Sequence, residues 1–325
     1  MAKKKGGASI QLGTILALII MCVVLSIANG NFYSYSNLMG ILKQTAFNAF
    51  VAVGMLLCLV TAGIDLSVGA NAVFCACLMG ALNKAGFTNG FVMMLVCIIA
   101  GALVGYANGL LLTRLHLPHP FVSTLGMKNV LWGLALVVTG NQMINNFPTS
   151  VQWLGKTTIG GFPVSFLFVI VLYIIMHIFL SRTGLGRSIY CVGGNLEATR
   201  LSGINTGNVL TFCYTMSGVM AALAGIVSVG RSGICNGANA TQPYDTDAIA
   251  ACIIGGASFS GGKGTMAGTI IGCLIISVLR NGFTLLSIDS AVQNIVLGLV
   301  IILAVFMDVV RASMEAKRRR LAAAK

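Results

Sequence analysis

Asn195-Leu196-Glu197-Ala198-Thr199-Arg200-Leu201-Ser202-Gly203-Ile204-Asn205 is a polar, charged stretch set between long apolar runs at roughly 162–181 and 207–229. Charge inside a bilayer is costly, so this segment must face water while its neighbours do not. It is short and helix-prone up to Gly203. Such a segment is suited to being gripped by a soluble partner, and it reads as a handle on a membrane-embedded chain.

Composition agrees with that reading. Of 325 residues, 57% are hydrophobic and 8% charged, whereas an ordinary soluble domain is about 45–50% apolar and about 25% charged. Apolar runs fall at roughly 12–28, 45–62, 67–83, 91–113, 121–139, 162–181, 207–229, 247–258, 265–280 and 291–310, most of them near the about 20 residues that cross a hydrocarbon core. The expected fold is an all-α integral membrane protein of about ten transmembrane helices, forming one polytopic domain over residues 1–325. The runs at 67–83 and 247–258 are short or glycine-interrupted. Re-entrant segments are expected there, and eight or nine full crossings stay open.

The formal net charge of +13 follows from topology. With both termini in the cytoplasm, fourteen of the Lys and Arg residues fall on the inner side, many in the short basic tails 1–10 and 311–325. Five (Lys43, Lys84, Lys156, Arg231 and Arg280) fall outside, and Lys128 lies within a span. This is the positive-inside pattern, with basic tails held beside an anionic leaflet. Nucleic acid is not a partner, because no basic stripe is interleaved with aromatics. Lys3 to Lys5 and the following run to Ala28 lack a small-x-small cleavage site, so they read as the first span and not as a signal peptide. Cys22, Cys58, Cys75, Cys77, Cys97, Cys213, Cys252 and Cys273 lie in apolar runs without metal-ligand spacing, and they read as small hydrophobes. His116, His119 and His177 are scattered near span ends, so no metal and no cofactor is expected.

Glycines carry the packing signal. Gly101, Gly105 and Gly109, and again Gly264, Gly268 and Gly272, recur four apart, a spacing that lets helix backbones approach closely in lipid. Two glycine-rich stretches, Thr61 to Gly69 and Ile254 to Gly264, each join two spans through a central Leu/Phe-Ser pair. Their likeness suggests a duplicated architecture with interrupted helices. Gly261-Gly262-Lys263-Gly264 lacks the spacing and strand context of a phosphate loop, so any ATP must be handled by another subunit.

Among polar residues in or beside the spans, Asp65 stands out. Its carboxylate either caps a helix start after Gly63 or meets the solute or a proton. Asn48, Ser67, Asn71, Asn108 and Gln293 are further candidates for a translocation path. Asp245 and Asp247 follow the polar stretch Arg231 to Thr246 and read as outer-face residues that cap a helix or meet an external partner. Asn145 lies in the other long outer stretch, Gly140 to Gly161. No set of His, Asp, Ser or Cys recurs at catalytic spacing, so no catalytic residue is assigned and the chain does not read as an enzyme.

Asn48-Ala49, Val53-Gly54-Met55, Gly63-Ile64-Asp65-Leu66-Ser67-Val68-Gly69 and Pro120 to Gly126 resemble the first half of a permease of the ribose/galactose family of bacterial ABC importers. Thr183 to Arg187, Gly193-Gly194-Asn195, Glu197-Ala198, Arg200 to Ile204, Asp247 to Ala251 and Ser260 to Thr265 are similar to its second half, in the same order. The resemblance implies a homodimeric pore in the bacterial cytoplasmic membrane, driven by a cytoplasmic ATPase subunit and fed by an extracytoplasmic sugar-binding protein. It also implies that Glu197, Ala198, Arg200, Leu201, Ser202 and Gly203 couple the chain to the ATPase, agreeing with the handle read from polarity alone. Asp245, Asp247 and Asn145 would meet the binding protein. Two departures stand out: Asp245-Thr246-Asp247 replaces a common Glu-Leu-Asp, and Leu196 replaces a frequent proline or acid. The competing class is an ion-coupled secondary sugar transporter using Asp65.

Overall fold

The computed structural model describes residues 4–115, 117 and 119–323; His116, Pro118 and the charged side chains of the tails 1–10 and 311–325 lie outside the described residues. All ten apolar runs are helical. Lys4–Ala28 (α1) and Tyr35–Val60 (α2) come first, then Val68–Lys84 (α3), Gly90–Thr113 (α4) and Pro120–Thr139 (α5). A short amphipathic helix, Thr149–Lys156 (α6), and a two-residue hairpin, Thr158–Ile159 with Phe162–Pro163, precede Val164–Arg182 (α7). Gly184–Gly194 (α8) leads into the polar handle, whose helix is Leu196–Leu201 (α9), followed by Thr206–Ser232 (α10). Tyr244–Ile254 (α11), Met266–Leu285 (α12) and Ser290–Ala323 (α13) complete the order.

Seven of these helices (α2, α4, α5, α7, α10, α12 and the apolar part of α13) are long and apolar enough to cross a membrane. The apolar parts of α1 and α3, Leu12–Ala28 and Val68–Lys84, are shorter. The ten helical runs are thus not ten spans of full length. At 11 residues α11 rises about 16 Å, half of the about 30 Å hydrocarbon core.

Burial sorts the bundle. In α2 and α10, 78% and 67% of the apolar window is buried, against 11% in α13. The first two are therefore the axis of the fold, and α13 presents its aliphatic side chains outward. Close packing comes from the glycine stripes. A Cβ on Gly101 would stand 2.6 Å from the Gly218 carbonyl oxygen, and one on Gly109 2.7 Å from Thr211 Cα, so α4 and α10 touch backbone to backbone. Gly268 and Gly272 of α12 meet Gly255 and Ala251, at and just before the end of α11, in the same way.

The bundle has two distinct ends. Near α9 gather the C-terminus of α2, the start of α10 and the loop between α11 and α12. At the opposite end Asn29 Nδ2 donates to the Leu285 carbonyl at 3.0 Å, and Asn37 and Asn281 exchange side-chain hydrogen bonds, which ties α1, α2 and α12 together. There α6 rests on the last turn of α10 through Gly155 and Gly230.

Candidate functional site

Two helices stop inside the bundle in the same manner. At the end of α2, Gly63 N–H donates to the Cys58 carbonyl and Ala62 N–H to the Leu59 carbonyl, both at 2.9 Å, with Ala62 left-handed at φ 60°. At the end of α11, Ala257 N–H donates to the Cys252 carbonyl and Gly256 N–H to the Ile253 carbonyl, again both at 2.9 Å, with Gly256 at φ 92°. Both are Schellman stops, which satisfy orphan carbonyls through a left-handed residue. The local likeness noted in sequence therefore lies in the helix stop. The Leu/Phe-Ser pairs are not in register, since Leu66 comes four residues after Ala62 and Phe259 three after Gly256.

Asp65 lies just before α3, buried to 1% exposure. Its Oδ1 accepts from Ser67 N–H at 3.0 Å and Ser67 Oγ at 2.6 Å, and its Oδ2 accepts from Ser217 Oγ of α10 at 2.7 Å. Ser67 is itself the cap residue of α3. Asp65 thus supports the helix start from two residues upstream and pins it to α10. Asn108 Nδ2 donates to Ser67 Oγ at 2.8 Å, which adds α4 to the network. Asn71 Nδ2 donates to the Gly101 carbonyl at 3.3 Å. Gln293 Nε2 donates to the Ile288 carbonyl and so stays with its own helix start. Asp65, Ser67 and Asn108 are brought together, while Asn48 and Gln293 lie elsewhere.

Asp245 and Asp247 are enclosed, at 2% and 4% exposure, and not presented on an outer loop. Both sit in the first turn of α11, where carboxylates favour the helix dipole. Asp245 Oδ2 takes Lys128 Nζ of α5 at 2.8 Å. Asp247 accepts two bonds from Arg280 of α12, from Nε at 2.6 Å and Nη2 at 2.7 Å. Each acid is thus neutralised by a base from a different helix, which buried charges require. Asn145 stays on the surface, its carbonyl accepting from Asn83 Nδ2 at 3.1 Å.

Beside the Asp247–Arg280 pair lies a cavity of about 170 Å³, below the last turn of α10. Asn48 and Gln44 of α2 reach it, together with Ser228, Arg231 and Gln242. Phe47 and Tyr244, edge to face at 4.7 Å between ring centroids, form its apolar wall.

At the other end the handle is built by caps. Asn195 Oδ1 accepts from Ala198 N–H at 2.9 Å and starts α9. Gly203, at φ 82°, ends it in a third Schellman stop, with Gly203 N–H donating to the Arg200 carbonyl and Ile204 N–H to the Thr199 carbonyl. Glu197 and Arg200 pair at 3.0 Å on the exposed face, and Leu201 is 79% exposed. An exposed ion pair contributes little stability, about 0.2–1 kcal/mol. A hollow of about 380 Å³ runs along α9, lined by Cys191, Asn195, Ala198, Thr199 and Ser202.

The helix that leads into the handle, α8, meets the end of α2 and the loop after α11 through backbone. Gly262 N–H donates to the Val60 carbonyl at 2.8 Å, and a Cβ on Gly193 would run into that same carbonyl oxygen. A Cβ on Gly261 would stand 2.8 Å from both Ala62 N and the Gly193 carbonyl oxygen. The loop after α11 is held on its far side by Asp308 of α13, which accepts from Ser258 Oγ and Phe259 N–H, each at 3.0 Å. The sequence reading missed Lys128 as the partner of Asp245, Arg280 as that of Asp247, and Asp308. A lysine inside a span demands an acid nearby, and that signal was legible at Lys128.

Residues 37–305 match the protein family described as the branched-chain amino acid transport system permease component. The chain belongs to that permease family. It is 37% identical over 299 residues to the ribose import permease protein RbsC of Escherichia coli strain K12, covering 91% of this chain and 92% of the relative. It is 38% identical over 308 residues to RbsC of Bacillus subtilis strain 168, with 93% and 94% covered. It is 33% identical over 324 residues to the galactose/methyl galactoside import permease protein MglC of Escherichia coli strain K12, with 94% of each covered. No solved structure matches. The resemblance to ribose/galactose-type import permeases is thereby established, and the permease is a multi-pass membrane protein.

Proposed function

We propose that this permease is the membrane subunit of an ATP-driven importer that carries a monosaccharide into the cytoplasm by alternating access, working as a homodimer with both termini cytoplasmic. The observation that carries the reading is the backbone contact of α8, which leads into α9, with the end of α2 and with the loop after α11. A cytoplasmic ATPase subunit gripping Glu197 to Gly203 along the hollow beside α9 moves Gly193 against the Val60 carbonyl. That carbonyl is shared with Gly262, so the end of α2 and the start of α12 respond together. Rigid elements joined at a few glycines suit such hinge motion.

An extracytoplasmic sugar-binding protein docks at the end away from α9, over α6, the hairpin and Asn145. It selects the sugar, and the permease offers a polar, weakly binding path that does not hold what it must release. Asp65 serves this cycle as a fixed anchor between α3 and α10.

The test is uptake in proteoliposomes holding the permease with its ATPase and binding protein, supplied with a panel of pentoses and hexoses. Accumulation that needs ATP and all three parts is expected, and Glu197→Lys is expected to abolish uptake and stimulated ATP hydrolysis while the protein stays inserted. Uptake by the permease alone on an ion gradient would overturn the reading.

A further inference from the structure

The cavity under the last turn of α10 holds more hydrogen-bonding capacity than the fold uses. Among the described residues, the side chains of Gln44, Gln242 and Ser228 make no hydrogen bond, and Arg231 makes no ion pair. Asn48 makes a single long one, Nδ2 to Ser277 Oγ at 3.4 Å, although it is 6% exposed. Gln242 and Arg231 are exposed at the mouth of the cavity, whereas Gln44 and Ser228 are half-buried and Asn48 is buried, and polar groups so placed in a membrane bundle without good partners are costly. Where several converge on one cavity, a ligand is the ordinary reason.

The pair at its base defines the ligand's chemistry. Arg280 spends two of its five N–H groups on Asp247, and each Asp247 oxygen keeps a lone pair free. Side by side these present one donor edge and one acceptor edge, which matches two adjacent hydroxyls that each donate and accept. The Phe47 and Tyr244 rings supply an apolar surface for the C–H face of a ring. The pair is internally neutral, and Arg231 stands at the solvated mouth.

We infer that each protomer holds its own weak site for one uncharged monosaccharide ring in this cavity, with Asp247 and Arg280 reading two adjacent hydroxyls. The inference rests on the importer reading and adds that the permease itself discriminates among sugars. The site would receive sugar from the binding protein before the α9 end opens.

Two measurements test it. Saturation-transfer NMR on the permease alone in nanodiscs, with a panel of neutral pentoses and hexoses, is expected to show ring protons in contact, and Gln44→Ala with Gln242→Ala is expected to remove the signal. The complete importer in proteoliposomes then compares uptake of two epimers differing at one of the adjacent hydroxyls. Asp247→Asn with Arg280→Gln removes the two charges together, so neither is left stranded. It is expected to narrow the preference by roughly tenfold, the effect of one lost hydrogen bond to a charged group.

Normal three-part import with no sugar signal on the permease alone, or an unchanged epimer ratio, would overturn the site and leave the importer intact. Stronger contact with a uronate than with its neutral parent would overturn the uncharged class. Absence of ATP-dependent import by the wild-type assembly would overturn the importer reading and the site with it.

Discussion

The stretches that interrupt the bundle, 61–67 after α2 and 255–265 after α11, begin with the same stop and then diverge. The first is sealed. Asp65 spends both oxygens on donors from its own turn and from α10, and Tyr214 donates its hydroxyl to the Ile64 carbonyl at 3.1 Å. The second is longer and rests at the surface, with Phe259 43% exposed. It is held by the Asp308 carboxylate of α13, by the Gly262 N–H bond to the Val60 carbonyl of α2 and by the Tyr190 hydroxyl of α8, which donates to the Gly264 carbonyl at 2.8 Å. One interruption is an anchor and the other a joint, and only the joint lies between the handle and a spanning helix. An interrupted helix therefore need not be mobile; what decides is whether its freed polar groups are satisfied inside the core or at the edge.

The largest break in this comparison should come from Asp65→Ala. It strands the Ser67 N–H and the Ser217 hydroxyl at about 1–3 kcal/mol each, so little monodisperse protein is expected by fluorescence-detected size exclusion after mild heating. Yield and melting like the wild type would show that the first interruption is not an anchor. Gly193→Val acts on the joint instead. Its side chain meets the Val60 carbonyl, so a folded, inserted protein with transport lowered at least about tenfold is expected, as positioning errors near a coupled site can cost that much. Unchanged transport would remove the proposed link between α8 and α2.

Asp308→Asn should have a smaller effect. It weakens two charge-assisted bonds at the edge, worth about 1–3 kcal/mol together at most once solvent screening is allowed for. Transport is expected to drop severalfold with melting almost unmoved, and a large fall in melting would make the second interruption structural as well. The smallest and sharpest test compares the two left-handed residues. Ala62→Gly relieves a side chain held at positive φ and Gly256→Ala places one there, so shifts of opposite sign are expected in thermal melts, about 1 kcal/mol or less for the first and more for the second. Shifts of the same sign would deny that the two stops are equivalent.

How much of this was legible beforehand varies with the kind of interaction. The glycine stripes at Gly101 to Gly109 and Gly264 to Gly272 announced close packing, and for Gly101, Gly105, Gly109, Gly268 and Gly272 the partners are backbone or small residues, as the spacing implies. Gly203 announced the end of α9, because capping is local chemistry, while the cap at Asn195 was written just as locally but was not read. Asp245 and Asp247 read in sequence as residues that cap a helix or meet a partner; they do stand in the first turn of α11, but their burial was not legible, because their partners Lys128 and Arg280 come from helices far off in sequence.

The sequence by itself determined the membrane class, the apolar runs, the helix stops and the handle, since these rest on hydropathy and on groups within a few residues of one another. Only the tertiary structure decided that α11 is a half-length helix clamped by two ion pairs, that Val60, Gly193 and Gly262 meet, and that unspent polar groups surround one cavity. The physical reason is that local periodicity and capping are written in neighbouring residues. Which distant charge or carbonyl completes a buried group depends on how the helices are stacked.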